Sequence, residues 1–165
     1  MGSYSSSNNR RFYLGVDTSG GSIKFGYSSG NESISANISL NVWQNIILVY
    51  DNSASVFYAY VNGQLVGSHN STASAVISTA NIKIGTATGF SLPYGGDISN
   101  LAIYDSPLSE SNVSTIYNNG TPQNTIFGSP VAWWKLDNIT TITDSSGNGY
   151  TGTIKVVYLN LLQTY

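Results

Sequence analysis

The chain has no cysteine, a single histidine and few charged side chains among its 165 residues. Without cysteine there are no disulfides, and one histidine rules out metal sites built from Cys and His clusters. Charged residues make up 8% of the chain, against about 25% in an ordinary soluble domain. The polar surface must therefore consist mainly of Ser, Thr, Asn and Gly. Such a surface has little charge repulsion, which favours assembly or a setting outside the cytosol.

Positive charge is also scarce. The six Lys and Arg residues leave a formal net charge of −2, and only Arg10 and Arg11 are adjacent. A nucleic-acid partner requires a concentrated positive face, so we expect none. No apolar run approaches the roughly 18 residues that span a bilayer, so we expect no membrane span. Hydrophobic residues make up 41% of the chain, which is enough to build a packed core.

Strand periodicity dominates the sequence. The run "WQNIILVYD" (Trp43–Asp51) is interpreted as one apolar run, which predicts a strand buried on both faces. Asn62-Gly63 is the two-residue signature of a hairpin turn. Tyr58 and Tyr60 alternate with smaller residues and are expected to pack on one sheet face. Seven strands are predicted, over residues 10–17, 20–30, 43–51, 55–61, 64–68, 75–85 and 95–105. Seven short strands separated by Gly, Asn and Ser turns are typical of an all-β sandwich or jelly roll.

One helix is predicted after the last of these strands. Ser109 is its expected N-cap, and Leu108 with Val113 forms a hydrophobic staple. Glu110 lies in the first turn, where the helix dipole favours negative charge. Gly120 is the expected C-terminal glycine. A single helix in a β protein is most simply a strap over one end of the sandwich.

The order of these motifs carries a resemblance. A Trp-led strand ending in "VYD", then "YVNGQLV", "IKIG" and "GDISNLAIYDSPLSESNVSTIYNNG" resembles the concanavalin A-like, laminin-G-type jelly rolls over about residues 11–120. The resemblance implies a jelly-roll β-sandwich that commonly binds sugars. "AWWKLD" and "DSSGNGYTGT" resemble the first strand and first turn of such a domain. Here they follow the helix, so the usual order of the family is broken.

This displaced opening unit sets the predicted organisation. We expect a sandwich over residues 1–120, a linker over 121–130, and a unit over 131–165 that completes this sandwich or a neighbour's. Pairing of "VAWWKLD" with "ISNLAIYD", within the chain or between chains, is the favoured arrangement. Trp133 and Trp134 would then point to opposite faces of a strand, and both are assembly candidates. The alternative is that residue 132 begins a second, tandem domain.

Residues for catalysis are scarce. Glycoside hydrolysis usually needs two facing carboxylates. The only glutamates are Glu32, in an expected turn, and Glu110, at the helix start. His69 is expected to be solvated in a turn, and no G-x-S-x-G elbow accompanies it. We therefore expect that the protein is not an enzyme.

A binding site for sugar is the favoured alternative to catalysis. The resemblance implies aromatic faces for stacking and Asn, Asp or backbone groups for hydroxyls. Phe90 and Tyr94 lie in the loop "TGFSLPYGGD", next to Asp97, and these three are the ligand-binding candidates. The structural alternative is that both aromatic rings only anchor the loop.

Calcium is the one cofactor that the sequence leaves open. It takes oxygen ligands from turns, and "DSSGNG" offers Asp144, Ser146 and Asn148. The alternative is that Asp144 and the glycines only shape the turn.

The favoured function is therefore a non-catalytic module that binds carbohydrate or a cell-surface glycan, in an extracellular or virion adhesive structure. The virion setting rests on analogy with low-charge, Ser- and Asn-rich structural proteins. The alternative is a self-assembling structural subunit, a filament or virion component joined by strand exchange through the C-terminal segment.

Overall fold

The computed structural model describes residues 2–3, 10–17, 21–28, 32–71, 81–86, 94–138 and 140–154. Within these ranges the regular structure is mostly β-strand, with one α-helix and one 3₁₀ turn. In chain order the elements are β1 (Gly2–Ser3), β2 (Arg10–Asp17), β3 (Ser22–Ser28), β4 (Glu32–Ser35), β5 (Ile46–Asp51), β6 (Val56–Val61), β7 (Gln64–Asn70), β8 (Ile82–Lys83), β9 (Leu101–Ile103), α1 (Glu110–Tyr117), the 3₁₀ turn Asn118–Gly120 and β10 (Ala132–Trp134). The all-β prediction with one short helix is confirmed.

The described strands pair antiparallel in three sheets. Their orders are β4-β3-β2-β1-β8, β5-β6-β7 and β10-β9. The β6–β7 turn is Asn62-Gly63, because Val61 pairs directly with Gln64. Asn62 and Gly63 have φ of 51° and 75°, the positive values that a type I′ turn requires. The predicted hairpin is confirmed.

The main core lies between the first two sheets. Alternate residues of β6 face it, and Phe57 and Ala59 are almost completely buried there. On the opposite sheet, Ile23 and Phe25 of β3 are equally buried. The Phe25 and Phe57 rings meet with centroids 4.7 Å apart. Burying a side chain of this kind contributes about 1.5–3 kcal/mol, so this contact is a main source of stability.

A second apolar cluster covers the outer face of β5 and β6. Val113 of α1 is completely buried there with Val49 and Tyr60. Both faces of β5 are thus covered, as its continuous apolar run predicts, and Tyr58 and Tyr60 pack on a sheet face as expected. The helix position differs from the prediction. It covers a sheet face instead of strapping one end, because its apolar stripe needs an apolar surface to pack against.

The helix begins as predicted and ends earlier. Ser109 is the N-cap, with its Oγ accepting from the Asn112 N–H at 3.3 Å. Leu108 packs against the cluster that contains Val113, which confirms the staple. The α-helix itself stops at Tyr117, because Asn118 adopts left-handed φ and ψ of 46° and 45°. Asparagine tolerates this conformation better than other non-glycine residues. The 3₁₀ turn carries the helical segment on to Gly120, whose φ of 81° is positive as predicted.

Strand boundaries differ from the prediction in several places. β5 begins at Ile46, three residues after the expected Trp43. A positive φ of 58° at Asn41 bends the chain before the strand can start. The strand expected over 95–105 is limited to Leu101–Ile103. Of the strand expected over 75–85, Ile82–Lys83 is observed, and residues 75–80 lie outside the described ranges.

The pairing of the C-terminal unit with the last sandwich strand is confirmed, and it occurs within the chain. Ala132 and Trp134 of β10 pair with Ile103 and Leu101 of β9 in antiparallel register. On its other side, β10 forms a bridge between Trp134 and Asp144. β10 is therefore flanked on both sides. The division at residues 120 and 130 stays a prediction. Segment 121–130 bonds to both neighbouring parts of the chain. The Tyr104 hydroxyl donates to the Phe127 carbonyl at 2.8 Å, and Asn148 Nδ2 donates to the Pro130 carbonyl at 3.3 Å.

Among the described helices, none is long and apolar enough to cross a membrane.

Candidate functional site

The loop that leads into β9 carries two of the three predicted sugar ligands. The Tyr94 N–H donates to the Gly85 carbonyl at 2.8 Å, which ties the loop to the segment after β8. Tyr94 is 47% exposed, and Asp97 is exposed three residues later. The loop therefore presents an aromatic ring and a carboxylate to solvent. Phe90, the third candidate, lies outside the described residues.

The Tyr94 ring rests against its own loop. A Cβ added at Gly96 would lie 2.9 Å from the hydroxyl and two ring carbons of Tyr94. Only glycine lets the ring lie this close to the backbone. The ring lies against the backbone on one side and is exposed on the other, and its role as a sugar ligand stays a prediction. Tyr94 anchors the loop and still leaves much of its surface free for a ligand.

The two assembly candidates, Trp133 and Trp134, are both buried. They are 5% and 6% exposed and occupy adjacent positions of β10, so their side chains leave opposite faces. Trp133 Nε1 donates to Asn100 Oδ1 at 3.2 Å, and Trp134 Nε1 donates to the Tyr150 carbonyl at 2.6 Å. The Lys135 ammonium lies 4.9 Å from the Trp133 ring centroid. Both tryptophans therefore serve this chain's own interior.

Asp144 holds this C-terminal unit together. Its Oδ1 accepts from the backbone N–H groups of Trp133 and Ser146, at 3.0 and 2.9 Å. Its Oδ2 accepts from the Ser146 hydroxyl at 2.8 Å and the Tyr150 N–H at 2.9 Å. One carboxylate thus connects β10 to the turn that follows it. A carboxylate has about four lone-pair sites, and all four are used here.

These bonds determine the acidity of the group. Burial by itself raises the pKa of Asp144. The backbone bonds from Trp133, Ser146 and Tyr150 and the Ser146 hydroxyl bond lower it, and the net pKa is well below the ordinary 3.8. Hydrogen bonds to the charged form stabilise that form. Asp144 is therefore a charged structural group.

The calcium candidates serve the turn itself. Asn148 Nδ2 donates to the Val131 and Pro130 carbonyls at 3.0 and 3.3 Å, which directs its amide nitrogen inward. With Asp144 already satisfied, the geometry favours the structural interpretation of "DSSGNG". Within the described ranges, no three His, Cys, Asp or Glu side chains lie together as metal ligands would. Calcium at this turn stays a prediction.

His69 and Glu32 are placed differently from the prediction. Both were expected in turns, and both lie on strands, in β7 and β4. His69 Nε2 lies 3.0 Å from a Glu32 carboxylate oxygen, and the imidazole edge meets Phe25 with ring centroids 5.8 Å apart. The local sequence did not reveal that both residues lie on strands. Packing of the two sheets then brings β4 and β7 together across the core. The pair links the two sheets.

An exposed apolar surface on the β4–β5 connection was missed from sequence. Leu40, Val42 and Trp43 are 62%, 63% and 68% exposed, and we name these three residues the Trp43 platform. The expectation of a strand from Trp43 onward placed its side chain in the sheet. The polar residues Gln44 and Asn45 could have indicated that Trp43 lies outside the strand.

A shallow groove runs along the outer side of α1 and the 3₁₀ turn, also without a sequence prediction. Its volume is about 440 Å³. Every lining side chain ends in a hydroxyl or a carboxamide, and the set is Ser111, Ser114, Thr115, Asn118, Asn119 and Gln123. Part of this polarity is used internally, since the Gln123 amide donates to the Thr115 carbonyl.

Comparison with protein families agrees with this architecture. A laminin-G-type family model, described as concanavalin A-like lectin/glucanases superfamily, matches residues 1–114. No curated protein matches the chain.

Two solved structures resemble the chain. A candidate carbohydrate-binding protein from Bacteroides ovatus aligns with a TM-score of 0.67 at 19% identity, covering 93% of this chain and 48% of that one. The chain thus spans about half the length of this neighbour, and the likeness supports the fold. An S-layer domain-containing protein from Clostridium thermocellum aligns with a TM-score of 0.44 at 22% identity, covering 69% and 59% of the two chains.

Proposed function

Because this chain belongs to the concanavalin A-like lectin/glucanases superfamily, we propose that it is a non-catalytic module that binds glycans. The observation that carries the proposal is the loop before β9, where Tyr94 and Asp97 are both exposed. An aromatic face beside a hydrogen-bonding carboxylate is the combination that a sugar ring needs. The likeness to a candidate carbohydrate-binding protein is consistent with this role.

Tyr94 and Asp97 would make different kinds of contact with a sugar. The Tyr94 ring is supported by the Gly96 backbone, so it offers a fixed surface against which the C–H face of a sugar packs at low entropic cost. The Asp97 carboxylate accepts hydrogen bonds from sugar hydroxyls, and bonds to a charged acceptor are about twice as strong as neutral ones. Phe90 would add a second aromatic surface from the same loop.

We propose a binding role instead of a hydrolytic one because of where the two glutamates lie. A Glu32 carboxylate oxygen lies 3.0 Å from His69 Nε2 between the sheets. Glu110 occupies the first turn of α1, where the helix dipole stabilises its negative charge. A retaining glycosidase needs two carboxyl groups roughly 5–5.5 Å apart across the scissile bond. These two glutamates already have structural roles on separate elements.

The setting we propose is extracellular or on a virion surface, as part of an adhesive structure. Its support is compositional, since charged residues are 8% of the chain and hydroxyl and amide side chains supply the polar surface.

Glycan-array binding with loop variants tests the function. We expect wild-type protein to bind at least one glycan, and Tyr94→Ala or Phe90→Ala to weaken that binding at least about tenfold, since losing an aromatic anchor costs about 1.4 kcal/mol or more. Tyr150→Ala is the matched control, because Tyr150 is 55% exposed in a different turn. It should bind as wild type does.

Two results would contradict the proposal. Wild-type protein that binds no glycan would remove the binding function. Release of reducing sugar from a bound polysaccharide would replace binding with hydrolysis.

A further inference from the structure

The Trp43 platform stands out because it is apolar, exposed and held by a well-tied loop. Three of four consecutive residues, Leu40, Val42 and Trp43, are each more than 60% exposed. Single exposed apolar residues need no explanation, whereas a contiguous group of this kind usually marks a binding surface. Trp43 contributes nothing to the core clusters, so packing does not account for its presence.

The loop that carries the platform is tied at both ends. Gln44 Oε1 accepts from the Ser39 N–H at 2.8 Å, which closes the loop across its base. Asn45 N–H donates to Asn62 Oδ1 at 2.9 Å, and Asn62 N–H donates back to the Asn45 carbonyl at 2.9 Å. The loop is therefore fastened to the β6–β7 hairpin, and little conformational entropy remains to be lost when a ligand binds.

The surroundings identify the chemistry of the ligand. No Asp, Glu, Lys, Arg or His occurs between residues 33 and 50. The segment that carries the platform therefore offers apolar and carboxamide side chains and no charged one.

This pattern separates the possible occupants. An acidic glycan or an anionic membrane would call for Lys or Arg beside the aromatic ring, and the segment has none. A stable protein partner buries about 800 Å² on each side, more than three side chains supply. A neutral sugar fits, because its C–H face packs on an indole and its hydroxyls bond to carboxamides.

We propose that the Trp43 platform is a second glycan site, specific for uncharged sugars and separate from the Tyr94 loop. The proposal rests on the glycan-binding function proposed above and gives it a ligand class. Trp43 supplies the stacking surface, with Leu40 and Val42 extending its apolar area. Asn41 and Gln44 lie beside it in the loop and supply hydrogen-bonding groups.

Tryptophan fluorescence tests this site directly, since Trp43 is exposed while Trp133 and Trp134 are buried. Acrylamide should quench mainly Trp43, and Trp43→Phe should lose this accessible component. Soluble β-glucan, mannan and galactan are the neutral probes, and polygalacturonate and heparin are the acidic ones. We expect at least one neutral polysaccharide to reduce acrylamide quenching of the wild type severalfold, with no effect from the acidic ones.

Binding measurements with variants complete the test. Trp43→Ala should weaken binding of the protecting polysaccharide at least about tenfold, and Trp43→Phe should stay within a fewfold of wild type because a ring remains. Tyr150→Ala is the matched control, because Tyr150 is 55% exposed outside both sites, and it should leave protection of Trp43 intact. Since Trp43 lies outside the core, its variants should keep wild-type stability to within about 0.5 kcal/mol.

The failures are distinguishable. If array binding depends on Tyr94 and no neutral polysaccharide protects Trp43, the second site is wrong and the glycan-binding function stands. If wild type binds no glycan at all, both are wrong. Protection by an acidic polysaccharide, or protection that grows with protein concentration without sugar, also overturns the proposal, and the latter assigns the platform to self-association.

Discussion

At the residue scale, Asp144 shows how one side chain organises a segment that has little regular structure. Its carboxylate accepts four hydrogen bonds from Trp133, Ser146 and Tyr150. A buried carboxylate is costly unless its oxygens are satisfied, and here the backbone of two segments satisfies them. The sequence left Asp144 open between a calcium ligand and a turn residue. The geometry favours the turn, because the donors come from residues up to eleven positions away.

This arrangement predicts acid sensitivity. The pKa of Asp144 is lowered in the folded protein, so its stabilising contribution is complete above the unfolded value of about 3.8 and is lost as the pH falls below it. We expect the melting temperature of wild type to fall more steeply below pH 4 than that of Asp144→Asn. At pH 7 the variant should be less stable by about 1–3 kcal/mol, because its amide nitrogen cannot accept the hydrogen bonds made to one of the two carboxylate oxygens.

Asp51 provides an internal control. Its pKa is also lowered, chiefly by the Ser53 hydroxyl and the Ala54 N–H, while burial opposes this and the Ser53 N–H adds to it. Asp51 is present in both proteins. Its contribution therefore cancels in the difference between them. Parallel stability curves for the two proteins from pH 7 to pH 2 would contradict the role of Asp144.

At the element scale, local signals predicted what local forces decide. The Ser109 cap and the Asn62-Gly63 turn depend on neighbours within a few residues, and both are confirmed. The end of α1 and the start of β5 were misplaced. Their limits depend on Asn118 adopting a left-handed conformation and on Asn45 bonding to Asn62 seventeen residues away. Sequence propensity does not show which asparagine will end a helix, and it does not show that Asn45 bonds to Asn62.

The hairpin turn provides a sharp test at this scale. Gly63 has φ of +75°, and a Cβ there would lie 2.7 Å from a Tyr117 ring carbon. Gly63→Ala should therefore lower the free energy of unfolding by about 1–2 kcal/mol for the backbone alone, and by more if the Tyr117 ring cannot move. Urea denaturation measures the change. Gly95→Ala is the matched control, because a Cβ there meets no atom of the described residues within 4 Å, and a loss equal to that of Gly63→Ala would refute the argument.

At the scale of the whole molecule, the displaced opening unit pairs with β9, the strand expected to be its neighbour. β10 pairs with β9 although it follows it by about thirty residues. Burial of Trp133 and Trp134 and the Asp144 bonds stabilise this position. Assembly by strand exchange, the alternative function, would require β10 to leave these contacts and form them with another copy.

A cysteine pair distinguishes the two arrangements, since the natural chain contains no cysteine. Ile103 and Ala132 are direct partners across β9 and β10, and such partners have Cα atoms roughly 4.5–5.5 Å apart, within disulfide range. Oxidised Ile103→Cys/Ala132→Cys protein should run as an internally linked monomer on non-reducing gels. Covalent dimers or ladders, absent from the Ile103→Cys single variant, would instead demonstrate exchange between chains.

The sequence alone was sufficient for the all-β class, the β6–β7 hairpin, the helix start and the β9–β10 pairing. The first three follow from hydrophobic period and turn chemistry. The pairing was implied by the resemblance to laminin-G-type jelly rolls, which left open whether it forms within or between chains. Tyr94 and Asp97 were likewise named from their loop, and the structure leaves both exposed.

Only the tertiary structure decided which side chains are buried or hydrogen-bonded within the fold and which are exposed to a ligand. It buried Trp133 and Trp134 and exposed Trp43, although all three are the same residue type in apolar segments. It satisfied Asp144 and joined His69 to Glu32. Burial and hydrogen-bond satisfaction depend on residues brought together from distant positions. Local pattern therefore predicts an element, and packing determines what that element presents to a ligand.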